Sequence, residues 1–161
     1  MDAIPSDKAE FTLQRIFDGP RALVYQIWTQ PEYVKEWWGV DGATIVRCEL
    51  DVRPGGTFRI DMKVAGGTVY ENRGVYLDVV PNERIVSQDE RDGNGLPPGT
   101  HTVTFADFNG KTLVTLTSRF STIEERDLLV RFGMVSGIKQ SLQRFERLLA
   151  VAASQEERQR S

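Results

Sequence analysis

The alternation of apolar and charged side chains from Val46 to Val64 constrains the fold of this chain more than any other feature. Two successive stretches share an apolar residue at every second position: Val46, Cys48, Leu50 and Val52, then Phe58, Ile60, Met62 and Val64. A period of two is typical of a half-buried β-strand, because successive side chains point to opposite faces. Pro54-Gly55-Gly56 between the stretches predicts a turn, so together they predict an antiparallel hairpin.

Turn residues continue to separate strand-like segments along the rest of the chain. Gly66-Gly67 and Pro81-Asn82 are turn signals, and Asn109-Gly110 strongly favours a tight hairpin. The remaining predicted strands are 10–17, 68–80, 84–89, 100–108 and 111–120. Successive hairpins predict an antiparallel meander of seven strands in all.

Three segments have the features of helices. Pro20 and Pro31 each predict the start of a short helix, because a proline at the first helical position loses no hydrogen bond. The second of these helices is predicted to run to Trp37. A long helix is predicted over 122–153, where apolar residues recur at helical spacing: Leu128, Phe132, Val135, Leu142, Phe145 and Leu149.

The start of the long helix carries a capping box, either Ser121 with Glu124 or Thr122 with Glu125. The order of elements predicts the α+β class: a curved seven-stranded antiparallel sheet, two short helices after its first strand, and one long C-terminal helix. One domain is expected over 10–153, with flexible tails at 1–9 and 154–161.

Composition excludes several classes of function. A net charge of −3 and a pI near 5.3 lack the basic surplus of nucleic-acid binders, so no nucleic-acid partner is expected. The single cysteine, Cys48, cannot form an internal disulfide. The N-terminus has no apolar run typical of a signal peptide, and no stretch has the roughly 18 apolar residues of a membrane span. We therefore expect a cytoplasmic protein.

Small residues recur at every fourth position of the predicted long helix: Gly133, Gly137 and Ser141. Glycine costs about 1 kcal/mol relative to alanine inside a helix, so two glycines on one stripe need a packing or functional reason. Two interpretations remain open. The stripe allows the helix to approach the sheet closely, or it borders a cavity between the helix and a sheet that curls around it.

Aromatic and polar residues suggest how such a cavity would be lined. Trp37-Trp38-Gly39 would place one ring in the core and another near an entrance, although core packing alone also explains the pair. Tyr70, Asn72 and Tyr76 would share the inner face of the sheet if Phe58, Ile60 and Met62 face inward. Otherwise these polar groups bond within the sheet or face water, since register is not fixed by the sequence.

Four groups of residues, in the same order along the chain, resemble the START-like superfamily (SRPBCC, polyketide cyclase-like). The resemblance covers about residues 10–150, and its branch is the activator of heat-shock-protein-90 ATPase-like family. The motifs are Phe17-Asp18-Gly19-Pro20-Arg21 with Trp28-Thr29-x-Pro31 and Trp37-Trp38-Gly39; Asp51-Val52-Arg53-Pro54-Gly55-Gly56-x-Phe58; Gly74-Val75-Tyr76 with Pro81-x-Glu83-Arg84-Ile85-Val86; and Gly133-Met134-x-x-Gly137 with Ser141-Leu142.

The resemblance implies a helix-grip fold, in which a seven-stranded sheet surrounds the C-terminal helix and leaves a deep cavity. Relatives include lipid and polyketide binders, aromatase/cyclases, antibiotic-sequestering proteins and chaperone co-regulators, so the resemblance does not by itself determine function.

Few residues of the sequence offer catalytic or metal chemistry. The only histidine, His101, is expected to be an exposed residue at a strand end, and neither Ser118 nor Cys48 has an evident partner base. One histidine and one cysteine cannot form a His/Cys-rich metal site. No phosphate-binding loop occurs. The sequence thus predicts no catalytic residue, no metal site and no cofactor.

The preferred interpretation is a non-enzymatic binder of a small hydrophobic or aromatic molecule. The predicted ligand-binding residues are Trp28, Trp37, Trp38, Phe58, Ile60, Met62, Tyr70, Asn72, Tyr76, Phe105, Met134, Gly137 and Ile138. One alternative is a cyclase- or hydrolase-type enzyme, which requires a buried titrating residue and would be favoured by an inward carboxylate such as Asp61 or Glu71. Another is a module that interacts with a chaperone, which requires an exposed apolar patch. The oligomeric state is left open.

Overall fold

In the computed structural model, residues 4–5, 8–91 and 95–160 are described, and they form eight strands and four helices. The strands are β1 (Ile4–Pro5), β2 (Glu10–Phe17), β3 (Thr44–Leu50), β4 (Thr57–Lys63), β5 (Val69–Val80), β6 (Arg84–Asp89), β7 (Thr100–Phe108) and β8 (Lys111–Arg119). The helices are α1 (Arg21–Thr29), α2 (Pro31–Trp37), α3 (Ile123–Phe132) and α4 (Met134–Arg160). This architecture confirms the predicted α+β helix-grip fold.

All eight strands form one antiparallel sheet in the order β1-β2-β8-β7-β6-β5-β4-β3. The seven predicted strands are confirmed, and the two-residue β1 adds a short edge beside β2. At the tightest turn, Asn109 and Gly110 have φ angles of 52° and 82°, the positive values that a two-residue hairpin requires. The flexibility predicted for 1–9 and 154–161 is not tested, and residues 1–3, 6–7 and 161 lie outside the described part. The final helix continues to Arg160, beyond its predicted end at 153.

The predicted alternation of the third strand fails at its start. A bulge lies between Ile45 and Arg47, so Ile45 pairs with Met62 while Cys48 pairs with Ile60. The extra residue of a bulge has no direct partner, and here it is Val46, which is 55% exposed. The expectation that Val46 faces inward with Cys48 is therefore wrong, because the bulge shifts the register.

The C-terminal helix is divided in two where the sequence predicts one helix. Gly133 has a φ of 111°, a left-handed conformation that ends α3, and α4 begins at the next residue. At the start of α3, the Thr122 hydroxyl accepts a hydrogen bond from the backbone N–H of Glu125. The Glu125 carboxylate accepts one from the backbone N–H of Ser121. Thr122 with Glu125 is therefore the pair that caps the helix.

The core lies where α4 crosses α1, α2 and β2. Phe145 is fully buried, and its ring centroid lies 4.8 Å from that of Phe17 and 5.1 Å from that of Trp37. Burial of such a side chain contributes about 2–3 kcal/mol. The described segments contain no helix with the length and apolarity needed to cross a membrane. Phe145 anchors the middle of α4 in this core, and the first turns of α4 border the site described next.

Candidate functional site

A pocket of about 530 Å³ lies between the concave face of the sheet and the helices α2, α3 and α4. Strands β4 to β8 form its floor, and the first turns of α4 form part of its roof. Farther along α4, three buried residues fill the other end of the concave face: Leu142, Phe145 and Leu149. The space therefore lies beneath the first turns of α4, where Met134, Gly137 and Ile138 border it.

The small residues of α4 approach a loop and not the sheet. The Ser141 hydroxyl accepts a hydrogen bond from the backbone N–H of Gly39 at 2.9 Å, and a side chain at Gly137 would meet the Val40 methyl group at 3.1 Å. The Arg144 guanidinium binds the carbonyl oxygen of Gly39. The close approach of α4 to the loop after α2 explains the small residues at 137 and 141. The Ser141 hydrogen bond holds this loop against the roof of the pocket.

Three tryptophans, all that the sequence contains, line one end of the pocket. The rings of Trp28 and Trp37 lie 4.9 Å apart, and the Trp37 indole N–H donates to the carbonyl oxygen of Ile27 at 3.0 Å. Trp37 is only 4% exposed, while Trp38 is half-buried beside it. The adjacent pair thus contributes one core ring and one more accessible ring to the same wall.

The floor of this end is formed by facing residues of β4 and β5. Phe58, Ile60 and Met62 on β4 pair with Gly74, Asn72 and Tyr70 on β5. The Asn72 side-chain amide donates to the carbonyl oxygen of Ile60 at 3.1 Å, so part of its polarity is used within the sheet. The rings of Phe58 and Tyr76 lie 5.4 Å apart.

Twelve of the thirteen residues predicted to bind a ligand lie around this pocket. They are Trp28, Trp37, Trp38, Phe58, Ile60, Met62, Tyr70, Asn72, Tyr76, Met134, Gly137 and Ile138. Phe105 does not lie around it: the Phe105 side chain is 2% exposed and packs edge-to-face on Tyr25 and Trp28. The α1 helix covers this part of β7, so Phe105 belongs to the core.

A polar cluster on the pocket wall was missed by sequence reasoning. His101 Nδ1 lies 2.8 Å from the Ser118 hydroxyl oxygen, and His101 Nε2 lies 2.7 Å from Asp89 Oδ2. The same Asp89 oxygen accepts the backbone N–H of Gly99 at 3.1 Å. All three side chains border the pocket. The expectation of an exposed His101 is wrong, because its side chain is 20% exposed and bonded on both nitrogens. The expectation that Ser118 has no partner base is wrong for the same reason.

The two acidic residues considered for an enzyme occupy different positions. Asp61 is 6% exposed and accepts hydrogen bonds from the Arg59 guanidinium, and it does not border the pocket. Glu71 borders the pocket and pairs with both Arg59 and Arg73. In the part of the chain that the structure describes, no three His, Cys, Asp or Glu side chains are grouped to hold a metal ion.

The remaining boundary of the pocket comes from α3 and the segment before β7. Leu129 and Phe132 of α3 border the pocket, as do Leu96, Pro97 and Pro98. The Phe132 ring lies 6.1 Å from the Tyr70 ring and is 56% exposed. The α3 helix therefore partly covers this side, with one face toward the pocket and another toward solvent.

Solved structures from several bacteria share this fold over nearly the whole chain. Protein NE0264 of Nitrosomonas europaea superposes with a TM-score of 0.85 at 25% identity, covering 93% of this chain and 99% of that one. Protein Ms6760 of Mycobacterium smegmatis gives 0.83 at 22% identity, covering 92% and 96%. An AHSA1-like protein of Aeromonas hydrophila gives 0.71 at 18% identity, covering 89% and 94%. At 22% and 18% identity the likeness shows the fold alone.

The family can be assigned from the sequence match. None of the curated proteins compared with the chain matches it significantly. The family model described as "Activator of Hsp90 ATPase homolog 1-like protein" matches residues 18–150, which include α1, α2, the strands from β3 to β8 and most of α4. Because this match spans most of the chain, the protein belongs to the activator of Hsp90 ATPase homolog 1-like family of START-like proteins.

Proposed function

We propose that this protein binds one small hydrophobic molecule, with at least one aromatic ring, between the sheet and α4. The observation that carries the proposal is the pocket of about 530 Å³ with three tryptophans at one end. Small-molecule sites have volumes of roughly 300–1,000 Å³ and apolar walls with a few polar groups. Trp28, Trp38, Phe58 and Met62 supply flat or flexible apolar surface of the kind that packs against an aromatic ring.

The apolar surface available supports binding of moderate strength. A two-ring ligand that removes about 600 Å² of apolar surface from water, counted on both partners, gains about 15 kcal/mol. Roughly half of this gain is lost to immobilisation of the ligand and ordering of side chains. The remaining 7–8 kcal/mol corresponds to dissociation constants in the micromolar range.

Intrinsic tryptophan fluorescence gives a direct test, because every tryptophan of the chain borders the pocket. Titration with naphthalene derivatives, indole and flat polyphenols is expected to quench this emission saturably at micromolar concentration. The same compounds should raise the melting temperature, since they bind only the folded state. If no member of a broad panel quenches or stabilises the protein, the proposal is wrong.

A pair of aromatic deletions locates the binding. Trp38→Ala removes a half-buried ring from the pocket wall, so calorimetric titration should show affinity about tenfold lower. Phe108→Ala removes an exposed ring at the far hairpin and should leave affinity unchanged. Equal affinities for Trp38→Ala and the parent protein would place the ligand elsewhere.

A chaperone interaction is a second candidate, favoured by the exposed apolar residues of α3. Ile123, Leu128, Val130 and Phe132 are each between 40% and 56% exposed. Leu128 and Phe132, four residues apart, lie on the same side of α3, and an exposed apolar surface of this kind is typical of protein contacts. The family is also described by similarity to an activator of the Hsp90 ATPase. A purified Hsp90-type chaperone should form a complex and hydrolyse ATP faster. Both effects should be lost in Leu128→Glu, and no effect of the parent protein would exclude this role.

A further inference from the structure

We infer that the Ser118 hydroxyl, oriented by the His101–Asp89 pair, is a hydrogen-bond acceptor that selects aromatic ligands carrying one hydrogen-bond donor, such as phenols. The inference rests on the proposed binding function and specifies the chemistry of its ligand. It assigns a role to a cluster that a purely apolar binder does not need. Polar side chains on a pocket wall are costly unless they are bonded or used.

The cluster belongs to a row of polar residues that crosses the concave face. Tyr76 pairs with Ser87, Ser87 with His101, and His101 with Ser118, on four neighbouring strands. All four residues border the pocket. A ligand whose ring lies among the tryptophans would therefore place a substituent against this row.

The hydrogen-bond directions in the cluster follow from the chemistry of its groups. An ionised Asp89 carboxylate can only accept, so the proton of a neutral imidazole lies on Nε2, which is 2.7 Å from Asp89. His101 Nδ1 is then an acceptor, and the Ser118 hydroxyl donates its proton to Nδ1 over 2.8 Å. The backbone N–H of Gly99 also donates to Asp89 and fixes the carboxylate.

The Ser118 oxygen is left with accepting capacity at the pocket wall. Its proton is used by His101, and the described part of the structure gives the hydroxyl no second side-chain partner. Ser118 is 4% exposed and borders the pocket, so the access that remains to its side chain is from the pocket side. A ligand hydroxyl can donate to this oxygen. An ether oxygen at the same place has no proton to donate, and its lone pairs would repel those of the Ser118 oxygen. Discrimination of about tenfold is expected from one such hydrogen bond.

The test compares 1-naphthol with 1-methoxynaphthalene, which share the ring system but differ in the donor. At about pH 8, wild-type protein should bind 1-naphthol about tenfold more tightly than 1-methoxynaphthalene by fluorescence titration. Ser118→Ala should lower the affinity for 1-naphthol alone, which brings the ratio close to one. Thr117→Val is the matched control: its hydroxyl is on the same strand, bonds to Thr12 and does not border the pocket, so the tenfold ratio should remain.

His101 acts through Ser118 as a positioning residue, and His101→Phe tests this role. Without the imidazole, the Ser118 proton is free to donate, so affinity for the ether should rise while affinity for 1-naphthol falls. A merely structural role would weaken both ligands together and leave their ratio unchanged, which would contradict the inference. Melting temperatures of the variants show that each one is folded.

The outcomes separate the inference from the function on which it rests. If wild-type protein binds both naphthalenes equally, the donor selection is wrong and the binding function stands. If the tenfold ratio persists in Ser118→Ala, the donor contacts another group and the inference is equally overturned. If neither compound binds, and no other member of the panel does, both proposals fail.

Discussion

Tyr76 combines a ring in the pocket wall with a hydroxyl whose ionisation is strongly suppressed. Burial is the largest cause: it raises the pKa of Tyr76 well above the usual value of about 10, and the nearby Cys48 and Tyr25 add smaller effects in the same direction. The neutral phenol is therefore the form that the folded protein accommodates, and ionisation of this residue opposes folding.

The raised pKa predicts a loss of stability in alkali. Above about pH 10 the unfolded chain ionises Tyr76 while the folded chain keeps it protonated, so the folded state binds more protons and stability falls as pH rises. One such group contributes a slope of about 1.4 kcal/mol per pH unit. Urea unfolding of Tyr76→Phe between pH 9 and 11 should show a shallower decline than the parent protein. Parallel declines would mean that the hydroxyl ionises equally in both states.

At the scale of residues, part of the polar cluster was accessible to sequence reasoning. Because the loop at Asn109-Gly110 has two residues, each step back along β7 from Phe108 is matched by one step forward along β8 from Lys111. This register pairs His101 with Ser118. The hairpin was recognised, but its register was not followed along the strands. Asp89 was not accessible in this way, because residues 90–99 between β6 and β7 carry no pattern that fixes their path.

At the scale of elements, period and turn residues determined most strands, and local backbone conformation caused the differences. The bulge at Val46 leaves no composition signal, since Val46 is as β-favourable as its neighbours. Gly133 was read as part of a helix stripe, whereas it adopts a left-handed conformation between α3 and α4. A single glycine fits either role, and only the direction in which the chain packs after it decides between them.

The break at Gly133 carries its own stability prediction. A φ of 111° is strained for any side chain, although a Cβ there would meet no neighbouring atom. Gly133→Ala is therefore expected to destabilise the protein by about 1–2 kcal/mol, in contrast to the gain that alanine gives within a helix. Ser136→Ala, at an exposed position in the first turn of α4, should be neutral or slightly stabilising in the same denaturant experiment. A stabilising Gly133→Ala would indicate one continuous helix in solution.

At the scale of the whole molecule, one end of the concave face packs against α4 in the core and the other end borders the pocket. Phe145 and Leu149 of α4 pack in the core with α1 and β2. Met134, Gly137 and Ile138, earlier on the same helix, border the pocket. The sequence predicted which residues surround this region because the sheet faces follow a period of two. It did not predict how far α4 stands from the sheet, since that distance depends on the loop at Gly39 that Ser141 and Arg144 hold.

If the pocket binds a ligand, a substitution that fills it should weaken ligand binding and leave the stability of the fold unchanged or higher. Ser87 lies on the pocket floor between Tyr76 and His101, so Ser87→Leu would place four carbons in the space. Cavity-filling substitutions commonly stabilise by about 0.5–2 kcal/mol, whereas a branched side chain at this point of the floor would clash with a ring lying against it. We expect an unchanged or higher melting temperature together with at least tenfold weaker binding of 1-methoxynaphthalene.

The control for this exchange is Thr102→Leu, next to His101 on β7 but outside the pocket, which should leave the affinity for 1-methoxynaphthalene unchanged. Ser87→Leu and Thr102→Leu add the same side chain to adjacent strands, so a general effect of extra apolar surface would alter both proteins alike. Loss of binding in Ser87→Leu alone would tie the ligand to the volume beneath α4. Undiminished binding by both variants would mean that the ligand occupies another surface. The pocket beneath α4 would then have no role in binding.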